Sequence, residues 1–158
     1  MKGIPLHSGS WRAVALSGLV IVAGHVFAAE PQSTVPTRTT EEQALARKPL
    51  EAYMQGHATG DPAHIRRAFL PTARIEGLRD GKIVSRTLEE FAAGFSGKPA
   101  EDEAQRQRRI DALDISGTAA MARVTLDYPA VTFTDYFVLL KVDGEWKIAS
   151  KVYSAQKK

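Results

Sequence analysis

FTDYFVLLKVDGEWKIASKVY, running from Phe133 to Tyr153, holds two strand-like runs around Asp143-Gly144. Asp-Gly suits the positive-φ positions of a tight hairpin turn, and the flanking runs alternate in polarity with a period of two. The spacing predicts strands over 130–142 and 145–154. On one side of the first strand stand Phe133, Phe137 and Leu139, and Asp135 stands among them. A carboxylate on an apolar face is costly unless it is ion-paired, hydrogen-bonded or protonated. Two registers are open. A two-residue turn sets Asp135 opposite Val152 and Lys151 opposite Tyr136, whereas a three-residue turn with a glycine bulge sets Asp135 opposite Lys151.

Working back from the hairpin, strands are predicted over 119–128, ended by Pro129, and over 108–115, ended by Ser116-Gly117. A shorter hairpin pairs 73–78 with 82–86 around Asp80-Gly81. Three helices are predicted. The first opens on a capping box, Thr39 with Glu42, and carries Leu45, Leu50, Tyr53, Met54 and His57 near one face. Pro49 should kink it or mark a fresh start, and Gly60 ends it. The second runs from Asp61-Pro62 to about Leu70 with Ile65, Ala68 and Phe69 as its apolar stripe. The third is capped by Thr87 and Glu90, carries Leu88, Phe91 and Phe95, and stops before Pro99. Helices followed by an antiparallel meander imply an α+β domain with helices packed on one face of a curved sheet. Such an arrangement encloses a pocket.

The first 28 residues read as a secretory signal. Lys2 and Arg12 precede an apolar run, Ala13 to Ala28, and Val26-Phe27-Ala28 suits cleavage after Ala28. Residues 29–40, rich in Pro and Thr, read as a disordered linker, and 41–156 as the folded domain. The protein is therefore expected in a periplasm or secreted, with no membrane attachment after cleavage. The absence of cysteine excludes a lipoprotein anchor, a disulfide framework and a thiol nucleophile. Of 21 basic residues two lie in the signal, which leaves a charge near +1 against 18 acids. The basic run Arg106 to Arg109, RQRR, reads as a solvated strand edge without aromatic interleaving, so no nucleic-acid partner is expected. Arg123 and Asp127 read as a cross-strand surface pair. No His-x-His, HExxH or phosphate-binding glycine loop is present, so no metal or other cofactor is expected.

The spacing Tyr53-x-x-Gly56-x-x-x-Gly60-Asp61, followed by Ala68-Phe69-x-Pro71-x-Ala73 and Asp80-Gly81, resembles the front half of nuclear transport factor 2-like domains. Phe133-Thr134-Asp135-Tyr136, with Asp143-Gly144-x-Trp146, Ile148 and Lys151-x-Tyr153, resembles the "putative lumazine-binding" branch of that superfamily. The resemblance implies a cone-shaped, cystatin-like antiparallel sheet with three helices across it, and a homodimer through the outer sheet face. The front half is also similar to ketosteroid isomerases. That similarity implies that Tyr53 falls on an oxyanion-binding tyrosine and Asp135 near a second oxyanion donor. It puts the general base at Gly77, which has no side chain, while the adjacent Glu76 points to the opposite face. Leu70 stands where the branch often carries histidine. The comparison favours the register that sets Asp135 against Lys151 on the pocket face.

The candidate catalytic residues are Tyr53, Asp135, Lys151 and His57, and the candidate ligand-binding residues are Tyr53, Met54, Phe69, Phe91, Phe95 and Phe137. Lys151 would hold a ligand anion or carbonyl and keep Asp135 charged. Asp135 would orient the ligand or move a proton, Tyr53 would donate a hydrogen bond, and His57 would carry a proton. Three functions remain open: a binding protein for a small, partly apolar molecule; a cofactor-free isomerase, dehydratase or other lyase; and a non-catalytic dimeric interaction module with a filled cone.

Overall fold

The structure, a computed structural model, describes residues 35–158. The expected signal peptide and the start of the expected linker lie outside the described residues. Helix α1, Val35–Thr59, begins within the stretch expected to be linker, so residues 35–40 are helical. Thr39 and Glu42 consequently sit inside the helix rather than at its start. Glu42 reaches the sheet, where its carboxylate accepts hydrogen bonds from Lys141 Nζ at 2.6 Å and Trp146 Nε1 at 3.2 Å. The helix continues through Pro49 without the fresh start that the proline suggested. It ends at Gly60, whose φ of 71° only glycine adopts without strain. The Lys98 carbonyl oxygen would lie 2.0 Å from a Cβ at this position, so the segment leading to the meander closes directly on Gly60.

Helix α2, Pro62–Ala68, is capped by Asp61, which accepts from the Ala63 N–H at 2.8 Å. It stops two residues earlier than expected, because Pro71 disfavours helical dihedrals at Leu70. Phe69 and Leu70 instead open strand β1, Phe69–Arg79. Asp80 and Gly81, with φ of 51° and 75°, turn the chain into β2, Lys82–Thr87. Thr87 and Glu90 form the expected capping box of α3, Leu88–Ala92. A 3-10 turn at Glu103–Gln105 leads to β3, Gln107–Ser116, β4, Ala119–Asp127, β5, Val131–Val142, and β6, Glu145–Lys157.

The six strands form one sheet in the order β2-β1-β6-β5-β4-β3. Neighbours are antiparallel except β1 and β6, which run parallel, so the fully antiparallel sheet expected from the sequence is corrected at one seam. The closing strand inserts between the first hairpin and the meander, a placement that local hairpin logic does not reveal.

The β5–β6 register differs from both expectations. Asp143-Gly144 makes a two-residue turn, with Val142 opposite Glu145. The register then shifts between Leu139, opposite Ile148, and Val138, opposite Ser150, which leaves Ala149 as a bulge on β6. An extra residue reverses the alternation beyond it. Trp146 and Ile148 point into the core before the bulge, and Lys151 does so after it. Asp135 thus opposes Tyr153, Lys151 opposes Phe137, and the two charged residues meet diagonally on one face.

The core between α1, α2 and the inner sheet face contains Leu50, Ile65, Phe69, Val124, Leu139 and Ile148. On β3 the basic run is not uniformly solvated, as it was expected to be. Arg108 is buried to 9 % side-chain exposure, ion-paired with Glu103 at 2.6 Å, and Arg106 lies 4.2 Å over the Tyr128 ring. Arg123 and Asp127 do not pair with each other: Arg123 approaches Asp111 at 3.7 Å, and Asp127 pairs with Lys158 at 2.6 Å. Among the described residues no helix is long and apolar enough to cross a membrane.

Candidate functional site

Three polar side chains meet where α1 crosses the inner face of β5 and β6. Tyr53 and Asp135 are 0 % exposed and Lys151 is 5 % exposed. The Tyr53 hydroxyl donates to Asp135 Oδ2 at 2.5 Å and accepts from Lys151 Nζ at 2.8 Å. Lys151 Nζ also lies 3.1 Å from Asp135 Oδ1, in ion-pair contact but without hydrogen-bond alignment. The phenol therefore bridges ammonium and carboxylate. Its one proton is committed to Asp135, while an ammonium has three. In this arrangement Lys151 is the group with a donor left for a ligand, and Tyr53 and Asp135 hold it in place.

Electrostatics follow from burial. Burial, then the adjacent Asp135 charge, holds the Tyr53 hydroxyl well above the ordinary phenol range, so it stays protonated. Burial lowers the Lys151 ammonium from its usual value, against the opposing attraction of Asp135. Aromatic faces surround the cation, with the centroids of Tyr53, Phe91 and Tyr153 at 5.0, 5.2 and 5.0 Å.

A cavity of about 160 Å³ opens in front of Lys151, walled by Tyr53, His57, Phe91, Leu126, Phe133 and Tyr153, with the β1–β2 hairpin on its other side. A closed apolar cavity of about 150 Å³ accommodates benzene, so this one has room for about one ring before the ligand emerges. The hairpin contributes Ile75, Arg79, Val84 and Arg86, none of them a candidate from the sequence. Their signal was present. The two-residue turn at Asp80-Gly81 pairs Ile75 with Arg86 and Gly77 with Val84, so all share the face assigned to Gly77.

The proposed lining residues divide. Tyr53 and Phe91 border this cavity, and Phe95 borders an adjoining hollow that shares His57, Arg86 and Phe91 with it. Phe69 and Phe137, each 2 % exposed, stand behind Tyr53 as core, with ring centroids 5.9 and 5.1 Å from it. Met54 packs against the core and borders neither space. Asp135 is sealed behind Tyr53 and Lys151 and does not reach the cavity wall.

His57 points inward. Its Nδ1 lies 3.3 Å from the Tyr128 hydroxyl, and Nε2 is buried without a partner among the described residues. Burial, followed by the charges of Lys151, Arg108 and Arg106, lowers it well below the ordinary imidazole range, so it is neutral at pH 7. At Gly77, a Cβ would meet the Tyr153 ring at 2.5 Å. The position that the isomerase similarity assigns to a general base is therefore covered by an aromatic ring. Among the described residues no group of three His, Cys, Asp or Glu side chains is arranged to hold a metal ion.

The helix-covered, curved six-stranded sheet is that of nuclear transport factor 2-like proteins. The chain belongs to the family described as "Putative lumazine-binding", whose profile matches residues 41–154. A nuclear transport factor 2-like protein of unknown function from Shewanella baltica is 30 % identical, with 75 % of this chain and 97 % of that one covered at a TM-score of 0.69. A second, from Methylobacillus flagellatus, is 30 % identical over 73 % of this chain and 93 % of that one, with a TM-score of 0.65. A protein from Cladobotryum named "Aldolase FrzH" is 21 % identical over 101 residues, which cover 64 % of this chain and 81 % of that protein.

Proposed function

We propose that this protein binds a small, partly apolar molecule in the cavity between α1, α3 and the sheet, with an oxygen of the ligand accepting a hydrogen bond from Lys151. The observation that carries this reading is a buried ammonium at the floor of an open, aromatic-walled space. A module with a filled cone would leave no such space in front of the cation. From the leader-like residues 1–28, the site of action is proposed to be the periplasm or the extracellular medium. A homodimer through the outer sheet face is proposed as well, with a second copy of this chain as the occupant. Met121, Tyr136, Val138, Leu140 and Val152 are exposed there on adjacent strands and favour it.

The test is native mass spectrometry of the protein purified from its own host, before and after denaturation. A stoichiometric small-molecule mass that is released on denaturation, and absent from Lys151→Met, is expected. A protein that carries the same mass with Lys151 replaced would sink the reading.

A second reading, a cofactor-free lyase, draws on the buried Lys151–Tyr53–Asp135 chain, along which a proton can move without solvent. The name of the Cladobotryum relative points the same way. The ring over Gly77 weighs against isomerase chemistry that needs a base at that point. Turnover of any substrate that survives both Asp135→Asn and Tyr53→Phe, with folding intact, would eliminate it.

A further inference from the structure

We infer that the ligand is an anion, an apolar molecule carrying a carboxylate, and that Arg86, assisted by Arg79, is the residue that selects it. The inference rests on the pocket reading above and goes further by naming the charge of the ligand.

Among the described residues, the cavity is lined by three cationic side chains, Arg79, Arg86 and Lys151, and by no carboxylate. Only one of the three is neutralised by a carboxylate of the described residues. Lys151 has Asp135 at 3.1 Å behind it. Arg79 and Arg86 take part in none of the ion pairs or side-chain hydrogen bonds of the described residues. The carboxylate that feels Arg86, Glu90, is held by the backbone N–H and hydroxyl of Thr87 at 2.7 and 3.0 Å. Neighbouring arginines behave otherwise: Arg66, Arg106 and Arg108 each have a carboxylate within 2.9 Å.

Position adds to charge. Arg86 borders both the cavity and the adjoining hollow, where the described residues also supply no carboxylate and add Lys98 and Arg106. Ile75 pairs with Arg86 on one side and with Lys151 on the other. The two cations therefore stand one strand apart on either side of Ile75, with backbones about 10 Å from each other at the usual strand spacing. A molecule of one ring or its alicyclic equivalent can place one oxygen at Lys151 and a carboxylate at Arg86, where a guanidinium offers two parallel N–H donors. Because the walls between the cations are apolar, a free inorganic anion would leave them uncovered. That favours an organic acid over phosphate or sulfate.

The test measures binding by calorimetry for the full chain and for Arg86→Gln, using benzoate, 3-phenylpropionate and 4-phenylbutanoate beside their primary amides. Each amide keeps the shape of its acid and loses the charge. The best acid is expected to bind about tenfold or more tightly than its amide, as a charge-assisted hydrogen bond implies. Added salt should weaken the acid alone. Arg86→Gln should remove the preference, weakening the acid far more than its amide, while leaving the melting temperature unchanged, since Arg86 is on a partly exposed strand position. Equal binding of acid and amide would overturn the anion inference and leave the pocket reading standing. Binding of neither at millimolar concentration would overturn both. An acid preference that survives in Arg86→Gln and Arg79→Gln would overturn the assignment of these arginines.

Discussion

Replacing Asp135 by Asn tests the centre of the site. The substitution keeps the shape and leaves the Lys151 ammonium, 5 % exposed, without its counter-charge. At 3.1 Å and an effective dielectric constant near 20, the lost attraction is about 5 kcal/mol. Removing one partner of a buried pair destabilises by about 3–5 kcal/mol. For a domain of this size that corresponds to a fall of roughly 10–20 °C in melting temperature. The assay is urea unfolding followed by far-UV circular dichroism between pH 6 and 10. Lys151 already lies below its ordinary value because burial outweighs the attraction of Asp135. Asp135→Asn removes the influences that raise it, so its folded-state value drops further. Between that value and about 10.4 the unfolded chain binds more protons than the folded one. Stability of the variant is therefore expected to rise with pH through this window, with the full penalty present below it. In the double variant Asp135→Asn/Lys151→Met both charges are gone, and most of the loss should be recovered. A loss under about 1 kcal/mol, flat with pH and unchanged in the double variant, would refute the account of a buried, mutually dependent pair.

Two further outcomes follow from the geometry. Gly77→Ala puts a Cβ 2.5 Å from the Tyr153 ring and should destabilise by about 1–3 kcal/mol. In a Tyr153→Ala background the same change should cost less than half as much, and equal costs in both would show that the ring is not the obstacle. Val138→Arg, at a position 52 % exposed on the outer face, should convert a dimer to a monomer in light scattering at micromolar concentration without lowering secondary-structure content. A wild-type chain that is already monomeric there would remove the case for self-association.

Much of the fold was legible because its determinants are local. Asp80-Gly81 and Asp143-Gly144 marked both turns, since each needs two residues at positive φ. Thr87 with Glu90 marked the start of α3, because the capping box closes within three residues. Thr39 with Glu42 carries the same pattern and did not start a helix. There the helix begins earlier, at Val35, and Glu42 reaches Lys141 and Trp146 about a hundred positions away. The site was partly legible as well. Asp135 on an apolar strand face demanded a partner, and the isomerase similarity pointed to Lys151, whereas the Tyr53 hydroxyl that donates to Asp135 was read only as a donor to a ligand.

The sequence by itself determined that Asp135 needed a partner or a proton inside an α+β domain, because a lone buried carboxylate is too costly to keep. Tertiary structure alone decided how Asp135 and Lys151 meet. The Ala149 bulge reverses the face of β6, and no local signal in the run from Trp146 to Lys151 announces it. The parallel seam between β1 and β6 then brings the arginine-bearing hairpin beside Lys151. Alternation and turn chemistry act over a few residues, whereas strand order and bulge position are set by which apolar faces can be covered at once across the whole sheet.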